Sequence, residues 1–308
     1  MLLISLSRSS SFQLISRGKP EKTSQTQNIR RRREGSTVGC LPGGTLSIVM
    51  TRPIGRPETN EPSHLVLDFD GTLFARQPKS FSLNPTARKL RHLGLLGLTL
   101  CIASGRGNAA LRYAHFLARD ISIRCYVIRW NGLDGLEIPS ERVAFRLPPF
   151  SPEQLSTIES FLRHVGIKPE TLKPEIVRVR HRSERSPRQL VRKIRYGLTK
   201  RVPGVVCTWN KNVIDVSPPG CDKATGVQKL FPKVQPTKIL AIGDSCCEFG
   251  NDFSLLESFP SFCVGFWDRN DRCAGRPVIH PSGRILRGTA ATYFILRGIE
   301  SDMESSGR

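Results

Sequence analysis

Residues 64–74 read HLVLDFDGTLF, and the fold is read outward from them. Leu65, Val66 and Leu67 form an apolar run that predicts a short buried strand. Asp68 and Asp70 follow at its C-terminal end, and Gly71-Thr72 breaks it. Two carboxylates one residue apart repel each other and need a cation, a proton or a polar shell between them. In an open α/β sheet the carboxyl end of a strand is also where ligands bind. Asp68 and Asp70 therefore stand as a candidate catalytic pair, against which every other motif is tested.

Downstream, strands and helices alternate. The pattern predicts helix over 84–95, strand over 98–103, helix over 108–119 and strand over 123–128, with a turn at Trp130-Asn131-Gly132. Such alternation implies a parallel sheet with right-handed crossovers. The character changes from about Asp134. Helices are expected over 151–165 and 186–200, each opened by Ser-Pro, a half-exposed strand over 176–182 (IVRVRHR) and a hairpin from 205–208 and 213–216. The sheet pattern then resumes: helix 222–230, strand 238–242, helix 249–258, strand 261–266, a last strand near 277–281 and a closing helix 288–297. The expected fold class is α/β, a Rossmann-like parallel-sheet core of residues 63–133 and 215–298. An α+β cap is inserted at 134–214, and 299–308 form a polar tail.

The chain has 308 residues and a formal net charge of +21, which points to anionic partners and says little about fold. Residues 1–62 hold little apolar surface and are expected to be disordered. Eight Lys or Arg face two acids over 1–49. A basic tail, a transit-like presequence and an upstream extension before a start at Met50 all fit this segment. The corresponding localisation is cytoplasmic, or organellar if 1–49 are a transit peptide. No apolar run of about 18 residues occurs, so no membrane-spanning helix is expected. The nine cysteines include no C-x-x-C pair. A zinc cluster is therefore not expected, and most read as small buried hydrophobes in a reducing compartment. Redox chemistry at the adjacent Cys246-Cys247 is the alternative.

Four motifs fall at strand ends or helix starts: DFDGT (68–72), ASGR (103–106), the Asp222-Lys223 step and GDS (243–245) followed by acids. In this order and setting the chain resembles the haloacid dehalogenase-like phosphohydrolase superfamily over about residues 64–297. The resemblance implies a Mg²⁺-dependent phosphomonoester hydrolase acting through an aspartyl-phosphate. Asp68 would be the nucleophile and Asp70 the general acid and base. Thr72, Ser104 and Gly105 would bind the phosphoryl oxygens, and Lys223 would neutralise phosphate and nucleophile. Mg²⁺ would be held by Asp68, the Asp70 carbonyl and Asp244, with a second acid from the fourth motif. The family usually places that acid four residues after the first, where this chain has Glu248. Asn251-Asp252 follows four residues later, and NDFSLLE (251–257) resembles the usual continuation, so a four-residue insertion is read and Asp252 favoured.

Between Asp70 and Ser104 there is room for one helix and one strand, whereas more than a hundred residues separate Ser104 from Lys223. This resembles the second cap type (C2), found in Cof-like, sucrose-phosphatase and trehalose-phosphatase-like members, which mostly act on sugar phosphates. Cap residues offered as substrate contacts are Arg178, Arg180 and Arg182. A small phosphorylated substrate is the expected partner, and oligomeric state is not legible. Two alternatives remain: a phosphomutase of the same fold, and a basic nucleic-acid-binding protein on a phosphatase scaffold. Nucleic acid is the less expected partner, because the basic cap strand lacks stacking aromatics.

Overall fold

The computed structural model describes residues 62–74, 81, 84–119, 121–180, 187–210, 212–266 and 272–307. Residues 1–61, with every reading of the basic segment, lie outside them, as does Arg182. Strand β1 (His64–Asp68) runs through the middle of a nine-stranded sheet. Its side chains alternate, with Leu65 and Leu67 in one apolar layer and Val66 in the other. Both layers are covered by helices, which explains why β1 reads as a continuous apolar run rather than an alternating one.

The first layer holds α1 (Pro85–Leu95) and α2 (Gly107–Ala118), which flank β2 (Thr99–Ala103) in the chain. Helix α1 starts where Asn84 accepts a hydrogen bond from the Thr86 amide and Pro85 fills the first turn. Strand β3 (Cys125–Arg129) follows α2 and pairs in parallel with β2. Then β4 (Asp134–Ile138) and β5 (Arg142–Arg146) add antiparallel to the same sheet.

A second, four-stranded antiparallel sheet follows. It carries α3 (Pro152–His164), β6 (Thr171–Lys173), β7 (Ile176–Arg180), α4 (Pro187–Thr199), β8 (Val206–Asn210) and β9 (Val213–Ser217), with strand order β6-β7-β9-β8. Ser151 and Gln154 close a reciprocal capping box on α3. Val177, Val179, Ile214 and Val216 face the helices and form a separate apolar core with Ile158, Leu162, Val191 and Ile194. The opposite face of this sheet carries Arg178, Thr208 and Asp215, in register across β7, β8 and β9.

The chain returns to the main sheet through α5 (Lys223–Leu230), β10 (Ile239–Gly243), α6 (Phe253–Ser258), β11 (Ser261–Cys263), β12 (Arg276–Ile279), β13 (Ile285–Leu286) and α7 (Gly288–Ser305). The sheet order is β13-β12-β11-β10-β1-β2-β3-β4-β5. The pairs from β12 to β3 are parallel, and β13, β4 and β5 are antiparallel. Helices α5 and α6 complete the second layer.

Two expected boundaries are corrected. A cap beginning at residue 134 starts too early, because β4 and β5 extend the main sheet. Arg129 grips Asp134 through bonds of 2.9 and 2.6 Å, and Leu136 and Ile138 enter the first apolar layer. The tail expected over 299–308 is mostly helix, since α7 runs to Ser305 and buries Met303. Among the described residues no helix is long and apolar enough to cross a membrane.

Candidate active site

The β1 strand delivers Asp68 and Asp70 to the sheet edge because Phe69, between them, turns into the first apolar layer. Asp68 is 2% exposed. The chain then turns at Gly71, with φ +94°. A Cβ there would lie 1.7 Å from Asp244 Oδ2, so only glycine lets the two loops close. Thr72 is fully buried and its Oγ1 has no hydrogen-bond partner. Its carbonyl accepts from Thr292 Oγ1 of α7, which fixes the turn from behind.

Strand β2 ends beside β1, with Ala103 in register with Asp68, so Ser104 and Gly105 emerge at the same edge. Ser104 Oγ accepts from the Arg106 amide at 2.9 Å. The Arg106 Nε lies 3.0 Å from Asp70 Oδ2. Lys223 opens α5, where Asp222 caps the helix by accepting from the Thr225 amide at 2.9 Å. Its ammonium is fully buried and donates to Asp68 Oδ1 at 2.5 Å and to Asp252 Oδ1 at 2.6 Å. The other oxygen of Asp252 accepts from the Asp244 and Ser245 amides at 3.0 and 2.9 Å.

The electrostatics follow from that packing. Burial, and then the nearby Asp252 carboxylate, push the Asp68 carboxyl up to about 7 against the opposing pull of Lys223. Burial alone favours a neutral Lys223, but Asp252 and Asp68 outweigh it and its pKa is raised. Carboxylate oxygens of Asp68, Asp244 and Asp252 all lie within 4.8 Å of one another. Asp68 Oδ2 is buried with no hydrogen-bond partner. Three acids against one buried ammonium leave excess negative charge, and an all-oxygen donor set suits a hard divalent cation such as Mg²⁺.

Glu248 does not join this group. It sits 3.5 Å from Arg192 of α4, on the side facing the four-stranded sheet. The expectation of Glu248 as a metal-site acid is therefore corrected, and the reason is the turn at 248–250. Trp209 donates to the Phe249 carbonyl at 2.6 Å, and the Phe249 ring enters the core of the four-stranded unit. Arg192 and Arg195 lie over that ring at 5.3 and 5.7 Å. Ser245 Oγ donates to the Trp209 carbonyl at 3.3 Å. Residues 248–250 thus dock on the four-stranded unit, and it is Asp252 that comes to Lys223.

Of the arginines offered as substrate contacts, Arg178 is held by Asp215 through bonds of 2.7 and 3.0 Å. Asn131 Nδ2 reaches the same carboxylate at 3.3 Å. A Cβ at Gly105 would lie 2.9 Å from Asn131 Oδ1 and 3.3 Å from Asp215 Oδ2, so this network borders the Ser104-Gly105 turn. Arg180 is instead paired with Glu170 at the exposed edge. Sequence reasoning missed two partners, Arg106 for Asp70 and Asp215 for Arg178. The second left a signal: an acid alternating with Ile214 and Val216 on a strand that pairs with an Arg-alternating one.

Residues 149–265 match the family described as haloacid dehalogenase-like hydrolase. No curated protein sequence matches the chain. Solved structures share the fold. Protein 0175 of Thermoplasma acidophilum is 17% identical, with 78% of this chain and 99% of that one covered, at a TM-score of 0.58. A Bacteroides thetaiotaomicron phosphatase of the superfamily is 18% identical, covering 81% and 99%, at 0.56. A subclass IIB sugar phosphatase of the superfamily is 16% identical, covering 68% and 89%, at 0.50. With four motifs at one sheet edge and an α+β unit inserted between the second and the third, the chain shares the fold of these phosphatases, and its residues 149–265 are similar to the haloacid dehalogenase-like hydrolase family.

Proposed function

We propose that the chain is a phosphatase that hydrolyses a sugar phosphate or similar small phosphomonoester through an aspartyl-phosphate on Asp68. The observation that carries this reading is the asymmetry of the Asp68 carboxylate. One oxygen is gripped by Lys223, and the other is buried without a partner. A carboxylate so held has one oxygen left for attack and pays no reorganisation to present it.

In the first step Asp68 Oδ2 bonds to phosphorus as the bond from phosphorus to the ester oxygen breaks. Asp70, one-quarter exposed at the mouth of the site, gives a proton to the leaving alcohol. In the second step water attacks the phosphoryl group. Asp70 takes its proton, and inorganic phosphate leaves a restored Asp68 carboxylate. The unpartnered Thr72 hydroxyl and the backbone after Ser104 would donate to the phosphoryl oxygens. Lys223 holds the nucleophile and offsets its charge, and Arg106 is placed to pass from Asp70 to a phosphoryl oxygen. Mg²⁺ held by Asp68, Asp244 and the Asp70 carbonyl would neutralise charge on the transferring phosphoryl group. Asp252 orients Lys223 and the Asp244 loop.

Specificity falls to the polar face of the four-stranded sheet, where Arg178 is presented by Asp215. Arg178 suits a hydroxylated, anionic substrate, in keeping with the sugar phosphatase that shares the fold. The test is a screen of sugar phosphates, nucleotides and phosphoglycolate with and without Mg²⁺, run beside Asp68→Asn. Phosphate release that needs Mg²⁺ and disappears in Asp68→Asn is expected. Hydrolysis that survives the substitution would exclude Asp68 as nucleophile.

A further inference from the structure

Eight cysteines fall among the described residues, and no disulfide joins any of them. Three of the eight meet at one place after β10, and a fourth lies beside them. Cys246 and Cys247 follow Ser245, Cys263 ends β11, and Cys273 precedes β12. The Sγ atoms of Cys246, Cys247 and Cys273 all lie within 4.8 Å of one another. Cys247 and Cys273 approach to 3.3 Å across an isolated backbone bridge. The Cys246 thiol donates to the Phe266 carbonyl at 3.3 Å, and the Cys263 thiol lies beside it.

Simple burial accounts for Cys246 and Cys263, each 1% exposed within the second apolar layer. Cys247 and Cys273 are only partly buried at the margin of that layer, yet turn toward the same point. Adjacent residues in extended chain point to opposite sides. Here residues 246–247 lie in an irregular turn, closed by the Ala274 amide on the Cys246 carbonyl at 2.9 Å, so both thiols face inward. The 3.3 Å contact is longer than a disulfide bond of about 2.0 Å. It is near the sulfur–sulfur edge of about 3.8 Å that four ligands at about 2.3 Å from zinc would form.

We propose that Cys246, Cys247 and Cys273, joined on binding by the neighbouring Cys263, form a closed four-thiolate site for zinc or a similarly soft divalent cation, separate from the carboxylates of the catalytic centre. On binding, each thiol releases its proton to solvent and forms a sulfur–metal bond, with no electron transferred. The site would staple the loop after β10 to the connection between β11 and β12. The absence of C-x-x-C hides it in the sequence, because two ligands are adjacent and the others come from separate strand ends.

The test uses the full-length chain, purified under reducing conditions without a metal-affinity step and dialysed against metal-free buffer without chelator to remove Mg²⁺. Elemental analysis is expected to give a zinc-to-chain ratio near one. Cobalt substitution should give the intense thiolate-to-cobalt charge-transfer band with tetrahedral visible bands. The Cys247→Ser/Cys273→Ser variant should bind zinc more than about ten-fold more weakly and lose that band. Zinc-free protein whose cobalt form lacks the band overturns the proposal, as does a mass short of two hydrogens from a Cys247–Cys273 disulfide. Undiminished zinc in the double variant overturns it too. Should that variant not fold, the wild-type cobalt spectrum decides alone.

Discussion

The buried Asp68–Lys223–Asp252 cluster gives the sharpest test, through the substitution Asp252→Asn. The two Asp252 oxygens accept from three donors: the Lys223 ammonium on one side and the Asp244 and Ser245 amides on the other. An asparagine of the same shape has one acceptor oxygen and an amino group that must point at a donor whichever way the amide turns. Either the ammonium loses a carboxylate or two backbone amides lose their acceptor, and Asp252 is 0% exposed, so water does not compensate. Removing one partner of a buried ion pair costs about 3–5 kcal/mol. For a chain of this size that predicts a thermal midpoint lower by about 6–20 °C. Glu248→Gln is the control, since its 3.5 Å contact with an Arg192 that is 62% exposed is a surface pair worth at most about 1 kcal/mol. The assay is thermal unfolding followed by circular dichroism for both variants, with Mg²⁺-dependent phosphate release measured alongside. A midpoint for Asp252→Asn within about 2 °C of wild type would refute the reasoning, being less than a single kcal/mol.

Three further outcomes are expected. Gly71→Ala should cost about 1–3 kcal/mol for its left-handed backbone, and should abolish any Mg²⁺ response because its Cβ would displace the Asp244 carboxylate; differential scanning calorimetry with and without Mg²⁺ measures both. Mg²⁺ at a hundred times its dissociation constant should stabilise the wild type by about 2.7 kcal/mol, and an equal shift in Asp244→Asn would place the cation elsewhere. Arg178→Gln should raise KM for a sugar phosphate at least several-fold while changing KM for p-nitrophenyl phosphate little, and steady-state kinetics on both substrates check it.

Much of the core was legible in the sequence because its signals are local. An apolar run, two acids and a glycine turn define β1, and the order of the four motifs defines the sheet edge. The hairpin at 134–146 escaped because its strand identity rests on antiparallel pairing with β3, a non-local contact. Asp134 reads as a turn residue until Arg129 is seen beside it. Helix α7 outran its expected end because Met303 packs into the first apolar layer, and tertiary burial overrode a polar local sequence. The spacing after Asp244 already favoured Asp252 over Glu248. What the sequence does not carry is the docking of residues 248–250, which turns Glu248 toward Arg192.

That docking changes how access to the site must work. A cap joined to its core by two linkers is a door on a hinge, and the door swings without disturbing the room. Here Phe249 is a third attachment, its ring seated in the far domain's interior and its backbone bonded to Trp209. The segment that carries it has Asp244 at one end and Asp252 at the other. On the proposed reading, swinging the door would pull on the acids themselves, and opening and cation affinity would be one linked equilibrium. Whatever tightens the one must, by reciprocity, bias the other.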